Sequence, residues 1–276
     1  MVFERAVSGR LLTFIFTRRG ALVRLLILMA CIAYAMPASA QPALQYEMAE
    51  ANSGRVLATA WGWTEVSESD PHDVTVTSHT VFTRGSEWLV RAVFTADTPP
   101  RCVSWEETVR RTDGALISSR RVQWGPELFP FLSGPFPADA YPLEVPLGYV
   151  IGHLGLGART MASFHTVLVD TLPQFDLWLD GKEAVRVPAG EFDCLRVRMR
   201  ANAQSLFPKL PAFVRPFLSF FIPTYTLWLT ASEPQLLVQY AGQIGPPGSP
   251  QLLVRLLKVS DTLPRSTDRQ DNAGLQ

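Results

Sequence analysis

The chain has 276 residues, of which 47% are hydrophobic and 18% are charged, and its 25 Lys and Arg residues balance its 25 Asp and Glu residues. This balance excludes proteins that bind nucleic acid through a general excess of basic residues. The hydrophobic content excludes a disordered chain, and the length is sufficient for one large domain or two small ones.

The first forty residues have the pattern of a secretory signal peptide. Five arginines and one glutamate come before the apolar run 25–34, and small residues at Ala38 and Ala40 precede Gln41. We therefore predict export to the periplasm with cleavage after Ala40. Cleavage would leave 20 basic against 24 acidic residues, a net charge of −4, so the mature protein is predicted to be mildly acidic.

Two alternatives to this cleavage remain open. The segment Leu28–Cys31 resembles the lipobox of bacterial lipoproteins, in which the cysteine is lipidated, although Met29 departs from that motif. An uncleaved membrane anchor is the other alternative. The apolar run is only about half the roughly 20 residues that span a bilayer, which disfavours the anchor.

Apolar and polar residues alternate along most of the mature chain, which is the period of a strand with one buried face. In the segment 192–200, for example, Leu195, Val197 and Met199 share one face and three arginines share the other. Similar runs predict strands at 44–50, 54–65, 72–83, 87–95, 102–110, 115–124, 161–169, 175–180, 183–187, 225–230, 235–240 and 251–259.

Short turn sequences join these strands, and no helix-length segment separates them. Asp113-Gly114, Asp180-Gly181 and Pro188–Gly190 are typical of hairpin turns, as is Arg84-Gly85. We therefore predict a mainly β fold: a single antiparallel, strongly curved sheet or half-barrel with meander order. Residues 41–259 are predicted to form one domain, followed by a disordered tail at 260–276.

A proline-rich stretch at 125–148 interrupts the strand pattern. It contains six prolines with aromatic residues between them, and proline removes the hydrogen-bond donors that a central strand needs. Long loops inside a compact domain are usually lids or packed loops. We predict a long loop of one of these two kinds.

A phenylalanine-rich insert at 205–224 is the second interruption. Its apolar residues recur at helical spacing, and prolines stand near both ends and in the middle, so we predict a short, bent, apolar helical insert between two strands. One interpretation is that it only fills the core; the other is that it forms a lid or wall of an apolar ligand cavity, or touches membrane. The candidate ligand-binding residues are Phe207, Leu210, Phe213, Val214, Phe217, Leu218, Phe220 and Phe221.

Two cysteines remain after removal of the signal peptide, Cys102 and Cys194. Because the periplasm is oxidising, we predict that they form a disulfide. The alternative is a pair of buried free thiols.

No catalytic or metal-binding motif is present in the sequence, so we predict a non-catalytic protein without metal or cofactor. His72 and His79 are seven positions apart and face opposite sides of one strand, as do the adjacent Glu106 and Glu107. The arginine row at 196, 198 and 200 is interpreted as a solvated strand face rather than an anion site.

One segment resembles a known pattern. Residues 180–197 contain Val-Pro-Ala-Gly-Glu-Phe followed by Val197, which is similar to the "V-P-A-G-x-F-x-x-x-x-V" hairpin of uncharacterised exported bacterial β-proteins. The Trp-containing segment 227–240 resembles their next strand pair. These domains of unknown function are similar to the half-barrels of the LolA/LolB lipoprotein carriers. The resemblance implies a periplasmic binding or envelope role and supplies no catalytic residues.

These observations lead to one main expectation of function. We expect an exported, non-catalytic β-protein that binds an apolar or lipid-like ligand in a cavity partly covered by 205–224, with possible membrane-surface contact and no nucleic acid. The alternatives are a structural or partner-binding envelope module and, less favoured, an unrecognised hydrolase.

Overall fold

The computed structural model describes residues 43–66, 70, 72–130, 132, 135–142, 147–167, 172–207, 210–211, 213, 220–232, 235–243 and 250–260. The predicted signal peptide lies outside these residues, as does the predicted tail apart from Ser260, which ends the last strand. No helix in the described part of the chain is both long and apolar enough to cross a bilayer.

The alternating segments form thirteen strands within the described residues. The strands are β1 Ala43–Glu50, β2 Val56–Val66, β3 Asp73–Phe82, β4 Ser86–Thr95, β5 Cys102–Arg111, β6 Leu116–Gln123, β7 Ala140–Tyr141, β8 Met161–Thr166, β9 Gln174–Val187, β10 Gly190–Ala201, β11 Thr224–Thr230, β12 Leu237–Gln243 and β13 Gln251–Ser260. Two short α-helices, α1 Leu147–Gly152 and α2 Ala203–Leu206, and a 3-10 turn at Pro126–Leu128 complete the described elements.

All thirteen strands belong to one sheet with the order β6-β5-β4-β3-β2-β1-β13-β12-β11-β10-β9-β8-β7. Every neighbouring pair is antiparallel except β7 and β8, which are parallel. Strands β1 and β13 pair at the centre and so join an N-terminal meander to a C-terminal one, with Met48 opposite Val254. The sheet is open, since β6 and β7 are its two edges. The mainly β, single curved-sheet meander that the sequence predicted is confirmed.

One face of the sheet carries the core, as the alternation requires. Tyr46 on β1 lies between Ala60 on β2 and Leu256 on β13, and all three side chains are almost completely buried. The same face continues across the C-terminal strands through Leu227 and Val197. The inner-face residues of both meanders belong to one apolar cluster, so the two halves of the chain share a core.

The described part of the proline-rich loop is a packed loop that bridges the two edges of the sheet. Trp124, at the end of β6, donates a hydrogen bond from Nε1 to the carbonyl of Ala140 over 2.8 Å. Tyr141 donates from its hydroxyl to the carbonyl of Pro100, also over 2.8 Å. The ring of Phe129 lies 5.3 Å from Trp124 and 5.4 Å from Phe136, centroid to centroid. We call the described residues of this bridge, 124–130, 132 and 135–141, the strap.

Residues 148–156, here called the inner segment, pack against the inner face of the sheet. The sequence analysis predicted no helix here, but α1 begins at Leu147, and Val150 and Ile151 are fully buried. The ring of Tyr149 lies 5.0 Å from that of Phe94 on β4. Gln235 donates from Nε2 to the carbonyl of Leu156. A helix of six residues is too short to give a helical stripe in the sequence.

The hairpin predicted at Asp180-Gly181 is wrong. Both residues lie inside the continuous strand β9, where the register shifts between Arg196, which faces Gly181, and Val197, which faces Leu179. One residue of β9, Asp180, therefore has no partner of its own on β10, which is an irregularity of the ladder. The strand continues through this position, and the chain does not reverse its direction. The turns at Gly85, Gly114 and 188–189 do connect consecutive strands, as predicted.

The predicted disulfide between Cys102 and Cys194 is also wrong. Both cysteines are free and buried. Cys102 lies on β5 and Cys194 on β10, and seven strands stand between β5 and β10 in the sheet order. Burial is the largest cause that raises the pKa of both thiols, and the pKa of Cys194 is about 11. Each thiol is therefore protonated at neutral pH and is a weak nucleophile.

Replacement of Phe94 by alanine should destabilise the protein by about 3–5 kcal/mol, because it opens a cavity where the strap and the inner segment meet β4. Phe94 is fully buried and contacts the rings of Tyr141 and Tyr149. Phe220→Ala is the matched control, since that side chain is 89% exposed, and should change stability by less than about 0.5 kcal/mol. Urea denaturation measures both values. Equal effects of the two substitutions would contradict the packing described for the strap.

The free thiols give a chemical test. Alkylation of the mature protein in denaturant without reductant should modify two cysteines, because both are free. Reductant should leave the unfolding midpoint unchanged, whereas a disulfide closing so long a loop would be worth about 4–5 kcal/mol. Mass spectrometry that finds no alkylation until reductant is added would contradict this result.

Candidate functional site

The insert between β10 and β11 lies at a defined end of the sheet. Because neighbouring strands are antiparallel, the β10–β11 connection is at the same end as the β1–β2, β3–β4, β5–β6 and β12–β13 connections. We call this end the insert end. Strands of both meanders meet at this end, so the insert lies at the same end of the sheet as connections from both halves of the chain.

The first residues of the insert are fixed to the beginning of β9. Asn202 caps α2, since its Oδ1 accepts from the backbone N–H of Gln204 over 2.9 Å, and its Nδ2 donates to Asp176 Oδ2 over 2.9 Å. The Ser205 hydroxyl accepts from the backbone N–H of Gln174 over 2.9 Å. This local network is typical of an N-cap, and it fixes where the chain leaves the sheet.

The candidate ligand-binding residues are divided between the core and the surface. Phe207 is partly buried and packs against the core. Phe213, Phe220 and Phe221 are 76%, 89% and 61% exposed, and Leu210 is 37% exposed. Three of the four phenylalanines in the described part of the insert are therefore exposed. Val214, Phe217 and Leu218 lie outside the described residues, as does much of the predicted helix, and the short helix α2 comes before that predicted helix in the chain.

Two tyrosines lie just behind the insert, on the inner face. Tyr225 is the second residue of β11, and its ring centroid lies 5.9 Å from that of Tyr240 on β12. A Cβ atom at Gly242 would overlap the Tyr225 ring and would lie 2.7 Å from the Tyr240 hydroxyl, so the ring lies directly over the glycine. Burial raises the pKa of Tyr225 to about 12 and raises that of Tyr240 well above its usual value. Both phenols are neutral hydrogen-bond donors at neutral pH.

The histidines are held by individual partners. His79 Nε2 lies 3.0 Å from Glu87 Oε2, and the His79 ring stacks on Trp61 at 5.7 Å. His165 Nδ1 lies 2.9 Å from Asp139 Oδ1. Among the residues that the structure describes, no three His, Cys, Asp or Glu side chains form a group that could hold a metal ion.

The charged residues considered in the sequence analysis are paired across strands. Asp180 Oδ2 lies 2.9 Å from Arg196 Nε and 3.1 Å from Arg198 Nε. Glu183 Oε2 lies 3.3 Å from Arg196 Nη1, and Glu183 Oε1 accepts from the indole N–H of Trp228. Arg196 and Arg198 of the arginine row therefore already have carboxylate partners, which favours the solvated strand face over an anion site.

The adjacent carboxylates of β5 point to opposite faces, as their alternation predicts. In the ladder to β6, Glu106 is the register partner of Arg121, and Glu107 is the register partner of Arg120. The two carboxylates therefore do not form a pair for acid and base chemistry.

The sequence analysis did not single out Tyr225 and Tyr240. The sequence did contain two indications of this site. The alternation of β12 places Tyr240 and Gly242 on one face, and Tyr225 comes just after the insert. Nothing in the sequence showed that the two rings would meet over the glycine, because β11 and β12 pair only in the folded sheet.

No protein-family model matches this chain, and no curated protein matches it. Among solved structures, a Bacteroides fragilis protein described as exported and as having a YmcC-like fold is similar, with 11% identity, a TM-score of 0.37 and coverage of 83% of this chain and 99% of that one. A beta-barrel-like protein of a domain of unknown function from Brucella abortus has 10% identity, a TM-score of 0.34 and coverage of 80% and 98%. The hypothetical lipoprotein YmcC from Escherichia coli has 8% identity, a TM-score of 0.31 and coverage of 82% and 87%.

These descriptions agree with the resemblance found in the sequence, since they concern an exported protein, a domain of unknown function and a hypothetical lipoprotein, none of them with a named function. Because all three TM-scores are below 0.5, the functional argument that follows rests on this chain's own residues.

Proposed function

We propose that this chain is an exported, non-catalytic β-sheet protein that binds an amphipathic, lipid-like ligand at the insert end of its sheet. The observation that carries the proposal is the exposure of Phe213, Phe220 and Phe221 beside that end, at 76%, 89% and 61%. Burial of one such side chain is worth about 2 kcal/mol. Three phenylalanines in one short segment therefore supply enough free energy for a reversible attachment to an apolar chain or membrane surface.

The anchoring of the insert supports this role. Asn202 fixes its beginning, and Ile222 is buried at its end, so the exposed phenylalanines lie between two fixed points. The remaining candidates, Val214, Phe217 and Leu218, belong to the same apolar stripe in the sequence. Lys209 and Arg215 are the basic residues of the insert, and their charges suit contact with lipid headgroups.

The proposal includes the processing and extent of the mature protein. Cleavage after Ala40 leaves residues 41–259 as one domain, which is supported by the single sheet that runs from β1 to β13. A non-catalytic role is supported by the protonated state of the buried thiols and by the separation of Glu106 from Glu107.

A partner-binding role is the second candidate, and strand β6 favours it. In the described structure β6 pairs only with β5, and seven of its eight residues are exposed, including Leu116 and Ile117 at 60% and 54%. An open edge with exposed apolar residues is suited to the addition of a strand from another protein.

The lipid proposal predicts the behaviour of a triple variant. Phe213→Ser, Phe220→Ser and Phe221→Ser together should weaken binding to phosphatidylethanolamine–phosphatidylglycerol vesicles by roughly tenfold or more, because the apolar contact is removed. Co-sedimentation measures the binding, and the unfolding midpoint should stay within a few degrees because the three side chains are exposed.

The matched control removes exposed apolar side chains elsewhere. Leu116→Ser, Ile117→Ser and Met161→Ser change residues that are 60%, 54% and 66% exposed. This variant should bind vesicles as the unchanged protein does. If it loses vesicle binding as strongly as the phenylalanine variant does, binding is non-specific and the proposal fails. If only this variant loses a cross-linked protein partner, the partner-binding role is favoured.

A further inference from the structure

Several buried polar atoms in the described part of the chain lack a hydrogen-bond partner, and the hydroxyl of Tyr240 is the one that lies beside Tyr225 and Gly242. Tyr240 lies between Leu227 on β11 and Val254 on β13, all three on the inner face, and its side chain is fully buried. Its hydroxyl has no hydrogen-bond partner among the residues that the structure describes. An unpaired buried hydroxyl costs about 1–3 kcal/mol, and such groups in native proteins usually have a function or a missing partner.

The described core that contains this hydroxyl has no buried residue of permanent charge. The buried polar residues in the described part of the chain are threonines, one serine, one glutamine and His79, and His79 pairs with Glu87. No lysine, arginine, aspartate or glutamate is buried among the described residues. A charged group placed beside Tyr240 would therefore be desolvated without a counter-charge, which is strongly unfavourable.

Tyr225 packs beside this hydroxyl and is close in the chain to the exposed phenylalanines. It follows Phe221 by four residues, its ring lies over Gly242, and it packs beside Tyr240. Because glycine has no Cβ, the ring occupies space that any other residue at 242 would fill. Rotation of Tyr225 would free that space next to the Tyr240 hydroxyl at the insert end of the core.

We propose that the ligand enters past the Tyr225 ring and that its polar group accepts a hydrogen bond from the Tyr240 hydroxyl. The group is an uncharged acceptor, such as the carbonyl of an acyl ester, and its apolar chain lies over Gly242. This inference rests on the proposed lipid-binding function and adds the class of ligand and the residue that selects it.

Two tyrosine-to-phenylalanine substitutions test the inference without a change of shape. Tyr240→Phe removes the unpaired hydroxyl and should raise the unfolding midpoint of the ligand-free protein by about 2–4 °C. Tyr46→Phe is the matched control, because the Tyr46 hydroxyl donates to the carbonyl of Leu237 over 3.0 Å. Its loss should lower the midpoint by a similar amount. A lower midpoint in Tyr240→Phe would overturn the inference, since the hydroxyl would then already have a partner such as a water molecule.

Binding is measured with a pyrene-labelled fatty acid methyl ester and with the corresponding free acid, which is ionised at neutral pH. The unchanged protein should bind the ester more tightly than the acid, and Tyr240→Phe should weaken ester binding by roughly tenfold. Tyr46→Phe should bind the ester as the unchanged protein does.

Two results would overturn this inference and leave the proposed function standing. One is ester binding that depends on the three phenylalanines but not on Tyr240, and the other is equal binding of the ester and the acid. No binding of either probe and no vesicle binding by the unchanged protein overturns both.

Discussion

The structure depends on how the strap joins the two edges of an open sheet. A thirteen-strand sheet with one apolar face must exclude water from that face, yet β7 has only two residues and cannot form a ladder with β6. The hydrogen bonds from Trp124 to Ala140 and from Tyr141 to Pro100 take the place of that ladder. Aromatic rings then fill the gap, since they bury large areas and tolerate several packing angles.

The two ends of the sheet differ in the residues that cover the core. The inner segment packs against β4 through Tyr149 and Phe94, and Gln235 bonds to its backbone, so this part of the core is filled by polar and apolar contacts together. At the insert end the exposed phenylalanines stay outside, and Tyr225 covers the core there. The core is therefore covered by a buried segment at one end and by the Tyr225 ring beside the exposed insert at the other.

Local sequence patterns predicted the strands well because alternation is a property of each segment by itself. The predictions were wrong where contacts between distant segments of the chain determine the local structure. Asp180-Gly181 has the composition of a turn, but pairing with Arg196 and Arg198 keeps it in β9. The separation of Cys102 from Cys194 depends on the order of the strands. The spacing of the insert residues predicted one apolar stripe without showing what covers it, and Phe213 and Phe221 of that stripe are exposed, because periodicity indicates only which residues share a face.

The charge of the mature protein constrains how it can meet a lipid. With 20 basic and 24 acidic residues after the proposed cleavage, the protein has no long-range attraction to an anionic membrane, and only Lys209 and Arg215 in the insert supply local positive charge. Under the proposed function, attachment comes mainly from apolar contact through the phenylalanines. The proposed role of Tyr240 as an uncharged hydrogen-bond donor is consistent with apolar attachment, because neither the protein nor the ligand then needs a charged group for binding.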